Sequence, residues 1–445
     1  MLASGCHQEA PPPAKSRQAC IQFSCDVSGR IEPCGCFTGQ LGGLTRLKTV
    51  LDAAQEPSLR VDVGDAIAGS EDYQVMQYRE VLRALHLMGY HAANAGRREA
   101  SLSAATLTSL AKESPVPLIS ANLFDVTTHA PVLRPWLVAE AGGLRYGIIG
   151  IVDPASLPEG GLGAGLSASD PASAISALLP EVRRAADVVV LLAFATEDRM
   201  KELAAQFFEL QFILGGDVQQ PSQDLVRANR SLLLSTTNQG RAIGLIKAKM
   251  EAGRPVSPSH AILMLNPDIP QSKDIAALAA TYRENVRSTR LAVDDPSRTG
   301  ANDVPGVHAT ATFVGTEACA GCHAAEFATW QKTGHAEAWK ALVRRDSEAD
   351  PSCIGCHSVG FGAPSGYRRE MKGEKFVNVG CESCHGPGSR HVAERAATVG
   401  TSQAVAFHFR PLGAADCTDC HHGEFSRPFE FADFWAKVAH GPAKR

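Results

Sequence analysis

Nowhere does the 445-residue sequence hold the 18 or more consecutive apolar residues that a transmembrane helix needs. It has no surplus of basic residues either. The formal net charge is −4, which gives no electrostatic reason to expect a nucleic-acid partner. The N-terminus, MLASGCHQEAPPPAKS, lacks the basic and apolar parts of a signal peptide. Residues 1–300 are poor in the side chains that bind metals, with five histidines and five cysteines. Residues 301–445 hold ten histidines and eight cysteines in less than half that length. That change in composition marks a domain boundary. With 44% hydrophobic and 20% charged residues, the chain suits a globular protein with a real core and room for two or three domains.

The cysteines of the C-terminal part follow one pattern. Cys319-Ala-Gly-Cys322-His323, Cys353-Ile-Gly-Cys356-His357, Cys381-Glu-Ser-Cys384-His385 and Cys417-Thr-Asp-Cys420-His421 are four copies of CxxCH. A single CxxC fits a redox disulfide, and two fit a zinc site. Zinc, however, does not require a histidine directly after every second cysteine. CxxCH is the attachment pattern of c-type haem. Two thiols add to the vinyl groups, and the adjacent histidine ligates iron from the same short turn. The reading is therefore four covalently bound haem c groups, with His323, His357, His385 and His421 as proximal ligands. Only about 25 to 35 residues separate the motifs, so the macrocycles must pack together and replace a conventional core.

A second axial imidazole makes a six-coordinate iron suited to electron exchange, whereas an open position admits a small ligand. Candidates for the second ligand are His335, in Trp330-Gln-Lys-Thr-Gly-His335-Ala, His391 after the turn Gly386-Pro387-Gly388, His440 after an aromatic segment, and His408. His308 and His422 are weaker candidates. The turn before His391 aims it at a neighbouring haem rather than its own. The pattern CxxCH…TGHA, then GCESCHGPGSRH, then a late AHG, resembles the cytochrome c-554 family of multihaem proteins over residues 312–445. That resemblance implies a mostly helical, haem-packed domain carrying electrons in the periplasm, sometimes with one five-coordinate haem. No histidine lies between the second and third motifs, so the ligand pairing stays open.

Covalent haem is attached outside the cytoplasm, so export is expected. Ala3-Ser4-Gly5-Cys6 resembles a lipoprotein cleavage site, with Cys6 as the lipid anchor, a proline-rich spacer behind it, and the missing signal expected upstream. Periplasmic or membrane redox proteins are the expected partners.

Residues 17–270 alternate apolar runs such as Leu59–Gly64, Tyr146–Ile151 and Asp187–Leu192 with helical stretches such as Leu44–Ala54 and Ala172–Ala186. This alternation predicts a layered α/β fold. Asp26-Val-Ser28-Gly29, Gly64-Asp65, Gly96-Arg97-Arg98-Glu99, Ser120-Ala-Asn122 and Gly215-Gly-Asp217-Val-Gln219 follow the landmark order of the calcineurin-like metallophosphatase domain of periplasmic 5′-nucleotidases, which this region resembles. Its metal ligands are mostly replaced. Ser28, Arg97-Arg98, Asp217 and Gln219 stand where the resemblance implies histidine or asparagine, and Asp26 and Asp65 remain. A two-metal hydrolase needs a full ligand set, so a degenerate pseudo-phosphatase is expected. The two arginines either hold an anion or pair with Asp26 and Asp65 and fill the site.

Cys20, Cys25, Cys34 and Cys36 lie close in sequence beside that site. They read as structural disulfides, a thiolate metal site or a dithiol exchanging electrons with the haems. Residues 271–311 read as a helix, which could pack back on the α/β domain, and a linker rich in Asp, Pro, Ser and Gly. The expected function is electron transfer, with the pseudo-phosphatase domain docking a partner or exchanging thiol electrons. Two other functions stay open: reduction of a small nitrogen or sulfur species at an open haem, and hydrolysis by residual metal at Asp26 and Asp65.

Overall fold

The computed structural model describes residues 17–33, 40–157, 161–237, 239–295, 311–371, 375–398, 412–422 and 429–440. The chain forms two compact units. One comprises residues 1–31, 41–70 and 81–272, and the other 32–40, 71–80 and 273–445.

The first unit is built on two six-stranded sheets. One orders its strands Arg254–Met264, Ala242–Glu251, Arg17–Ser24, Leu59–Asp62, Ala92–Asn94 and Leu118–Ile119. The other orders them Val226–Ala228, Ser231–Ser235, Phe212–Gly215, Val188–Phe194, Leu144–Val152 and Trp136–Ala141. The run Val188–Phe194 is buried along its whole length, as suits a central parallel strand covered on both faces. The helix Pro171–Ala185 starts where Asp170 accepts a hydrogen bond from the Ser173 amide and Pro171 presets the first turn. Ile175, Leu179 and Val182 form its buried stripe against the second sheet. Gly147 allows that close approach, because a Cβ there would sit 2.4 Å from Val182 Cγ1.

The parallel strands point their C-terminal ends the same way, and functional loops gather at such ends. Asp26 and Ser28 follow Arg17–Ser24, Asp65 follows Leu59–Asp62, Arg97 follows Ala92–Asn94, and Asp217 follows Phe212–Gly215. Asp26, Ser28 and Asp65 adopt φ of 52°, 52° and 58°, a left-handed backbone that L-residues hold only when their surroundings fix it.

The second unit is a set of short helices, among them Glu317–Ala320, Ala324–Trp330, Ala338–Val343, Pro351–His357, Cys381–His385, Ser389–Thr398, Ala414–Thr418 and Phe431–Val438. The helix expected within residues 271–311 runs over Lys273–Ser288 and belongs to this unit. There its Tyr282 and Val286 pack with Tyr73 and Met76. From residue 311 onward the buried hydrophobic side chains among the described residues are Leu342, Ile354, Val359, Tyr367 and Phe376. So small a cluster does not hold many short helices by itself, and chains of this kind rely on an added group. No helix among the described residues is long and apolar enough to cross a membrane.

Candidate functional site

In each cysteine motif one turn of backbone presents three side chains. In the first, the Cys322 and His323 amides both donate to the Cys319 carbonyl, at 3.3 and 2.9 Å. In the fourth, the Cys420 and His421 amides donate to the Cys417 carbonyl at 3.2 and 2.8 Å. The second motif closes the helix Pro351–His357, which Asp350 caps by accepting from the Ser352 amide at 2.9 Å. The third opens the helix Cys381–His385 at Gly380, where a Cβ would lie 2.1 Å from Thr316 Oγ1.

One residue inside the third motif does a structural job that its position did not reveal. The Glu382 carboxylate is 4% exposed. It accepts from the amides of Val314, Gly315 and Gly388, the shortest at 2.7 Å. It thereby ties the segment leading into the first motif to the turn leading to His391. The only hint in the sequence is an acidic residue within CxxCH, flanked by glycines.

Three motif histidines face a histidine from elsewhere in the chain. The ring centres of His323 and His391 are 6.0 Å apart, those of His335 and His421 6.1 Å, and those of His385 and His440 5.9 Å. The rings are not stacked, their planes being inclined by 35°, 38° and 67°. Two imidazoles bonded from opposite sides to one metal ion, at about 2 Å per metal–nitrogen bond, bring their ring centres to about 6 Å. Burial, with the facing or neighbouring imidazole, holds His335, His385 and His391 below the usual histidine range, and burial alone lowers His421. These rings are therefore neutral and keep a lone pair for a metal.

His357 differs. Its Nδ1 lies 2.6 Å from the Ala338 carbonyl, which can only accept, so Nδ1 carries the proton and Nε2 the lone pair. Among the described residues no second imidazole stands across from it. His440 is fixed in the same manner, with Nδ1 2.8 Å from the Val438 carbonyl. His335 is positioned by its neighbours: Trp330 Nε1 donates to the Val379 carbonyl at 2.9 Å, and the Val379 amide donates to the His335 carbonyl at 3.2 Å.

The thiols pair between motifs. Cys319 lies beside Cys381, and Cys356 beside Cys420. The first motif thus stands against the third, and the second against the fourth. The described cysteines form no disulfide among themselves. A covalently held macrocycle between paired imidazoles, with thiols at its edge, fits this donor set. His408, Cys6, Cys34 and Cys36 lie outside the described residues.

The loops of the α/β unit assemble a second cluster. Arg97 Nε lies 3.0 Å from Asp65 Oδ2, and its terminal nitrogen 3.7 Å from Asp217. The guanidinium also sits 5.6 Å from the centre of the Phe194 ring. Arg98 contacts Asp26 Oδ1 at 2.9 Å, donates to Ser28 Oγ, and reaches Asp65 Oδ2 at 3.9 Å. Burial and the adjacent Glu99 push Asp65 up to about 7, against the pull of both arginines. Cys20 and Cys25 are buried, and Cys25 lies beside the carboxylates of this cluster. Cys20 Sγ accepts from Ser58 Oγ at 3.1 Å, and Cys25 Sγ donates to the Gly64 carbonyl at 3.4 Å. Burial raises both thiols, Cys25 strongly, which suppresses the reactive thiolate. They do not bond each other.

Residues 318–386 match the family model Cytochrome c554 and c-prime. A stretch of 95 residues is 38% identical to cytochrome c-554 of Nitrosomonas europaea, covering 18% of this chain and 40% of that protein. The match supports a haem electron-transfer role for this part and implies covalently bound haem c. Another stretch, of 174 residues, is 28% identical to the 2′,3′-cyclic-nucleotide 2′-phosphodiesterase/3′-nucleotidase of Salmonella typhimurium, covering 34% of this chain and 27% of that one. The chain thus spans less than half the length of either relative. Among solved structures, a calcineurin-like phosphoesterase of Bacillus subtilis superposes with a TM-score of 0.53 at 16% identity, covering 61% of this chain and 98% of the other. A 5′-nucleotidase precursor of Thermus thermophilus does so at 0.51 and 21%, covering 60% and 59%. The N-terminal α/β region has the calcineurin-like phosphoesterase fold.

Proposed function

We propose that this chain is an exported tetrahaem c-type cytochrome that passes electrons between periplasmic or membrane redox partners. The observation that carries this reading is the set of three imidazole pairs, each joining a motif histidine to a distant one across the width of a metal ion with two axial ligands. Bound haem c would supply one-electron exchange with little rearrangement where two imidazoles ligate it. The chain's own part is to anchor each ring by two cysteines, to present neutral imidazoles, and to keep the four sites close. The pairing of Cys319 with Cys381 and of Cys356 with Cys420 supports two adjacent couples of sites.

His391 would complete the first site, His335 the fourth and His440 the third; for His357 of the second site no facing imidazole is found among the described residues, and the candidate His408 lies outside them. A second reading applies if that position stays open: the second site would then bind and reduce a small nitrogen or sulfur species. The α/β unit would dock a partner. Its described thiols, Cys20 and Cys25, are too deeply buried to support thiol exchange. Lipid on Cys6 would tether the assembly to a membrane.

An electron paramagnetic resonance spectrum of the intact, matured protein tests the ligand assignment. At least three low-spin irons are expected, and a fourth iron that is high-spin and shifts on addition of nitric oxide or cyanide supports the second reading. Four low-spin irons would remove the second reading, and fewer than three would remove the ligand assignment.

A further inference from the structure

The electron-transfer reading leaves the arginine–carboxylate cluster of the α/β unit without a task. The fold is that of phosphoesterases, whose chemistry rests on metal ions held at these strand ends, so the first question is whether a dication fits here. It does not. Asp26 Oδ1 accepts from Ser28 Oγ at 2.6 Å and from Arg98 at 2.9 Å. Asp26 Oδ2 accepts from the Gln239 amide at 3.0 Å and from Thr237 Oγ1 at 3.3 Å. Asp65 Oδ1 takes the Arg98 amide at 2.9 Å, and Asp65 Oδ2 takes Arg97 Nε at 3.0 Å. Each of the four carboxylate oxygens therefore already holds a donor, two of them an arginine side chain. Glu99 is committed as well, accepting from the amides of Asp65, Ile67 and Gly96 at 2.9 to 3.0 Å. An arginine has no lone pair to offer a metal and does not lose its proton in a protein.

An anion fares no better. Asp26, Asp65 and Asp217 put three carboxylates against two guanidinium groups, so the cluster has no positive charge to spare.

We propose that Arg97 and Arg98 are a built-in substitute for the metal ions. They supply the positive charge that holds three loops together and make the α/β unit independent of metal. Asp26, Asp65 and Asp217 come from separate strand ends, and Arg98 bridges the first two while Arg97 bridges the second and third. The left-handed backbone at Asp26, Ser28 and Asp65 needs such a tie. Substitution of Arg98 then leaves a carboxylate cage that a dication can enter.

The test uses the full haem-loaded protein, so haem iron is counted separately from other metals. It is stripped with EDTA, incubated with Mn²⁺ or Zn²⁺, and desalted. The wild type should retain no stoichiometric manganese or zinc, and its α/β unfolding midpoint should be the same in EDTA and in Mn²⁺. Arg98→Ala should lower that midpoint in EDTA by about 5 °C, and Mn²⁺ should restore part of the loss. Stoichiometric retention of either metal by the wild type would overturn the proposal, whether or not the variant folds. So would an Arg98→Ala protein as stable as the wild type in EDTA.

Discussion

A histidine ligates only through a nitrogen that carries no proton, and single contacts decide which nitrogen that is. Burial keeps His335, His385 and His391 neutral, and backbone carbonyls take the Nδ1 proton of His357 and His440. His335→Met should replace nitrogen with sulfur on one side of the fourth site. Its midpoint potential should rise by on the order of 100 mV, as read by potentiometric titration, while the other potentials stay nearly in place. His391→Ala should convert one low-spin signal to high-spin. Glu382→Gln keeps the shape but weakens three charge-assisted hydrogen bonds, each worth about 1.5–3 kcal/mol. Limited proteolysis should then cut the segment before the first motif faster, and an unchanged cleavage rate would show that the carboxylate is not the tie. The motif cysteines and histidines were legible in the sequence because their spacing is local. The candidates His335, His391 and His440 were legible as residues, but not their partners. Each facing pair is separated by at least 55 residues of chain, and no local pattern encodes that.

At the level of elements, regular burial made the α/β strands readable. Runs such as Val188–Phe194 and Phe212–Gly215 are buried throughout. The paired strands Ala242–Glu251 and Arg254–Met264 were not named from the sequence. The first mixes lysines with its apolar residues, and the second, at the sheet edge, is largely exposed. The helix Lys273–Ser288 was readable, but not its grouping with the second unit, where Tyr282 donates to Asp350 at 3.2 Å. Close packing of helix on sheet gives a sharp test. Gly147→Ala puts a methyl group into Val182 and should destabilise the α/β unit by about 1–3 kcal/mol in urea unfolding. A neutral result would mean that the helix Pro171–Ala185 slides easily.

For the whole molecule, the charge network of the α/β unit sets a pH dependence. Burial raises Asp62 well above its usual value, raises Glu99 above its own and, with Glu99 beside it, takes Asp65 to about 7. A carboxyl group whose folded pKa exceeds its unfolded value binds its proton more tightly in the native state. Its contribution to stability is therefore full below the unfolded pKa, near 4, and is lost as pH rises towards 7. The α/β unfolding midpoint in urea should fall between pH 5 and pH 7.5, and a rise over that interval would contradict the assignment. The second unit depends on something else. Its described part from residue 311 buries few hydrophobic side chains, while three imidazole pairs face each other within it. The account stands or falls with haem at all four motifs. Intact mass of the matured protein, followed by peptide mapping, measures this directly. It should show thioether-linked haem on Cys319–Cys322, Cys353–Cys356, Cys381–Cys384 and Cys417–Cys420. A colourless chain with free thiols or zinc at any of these motifs would contradict it.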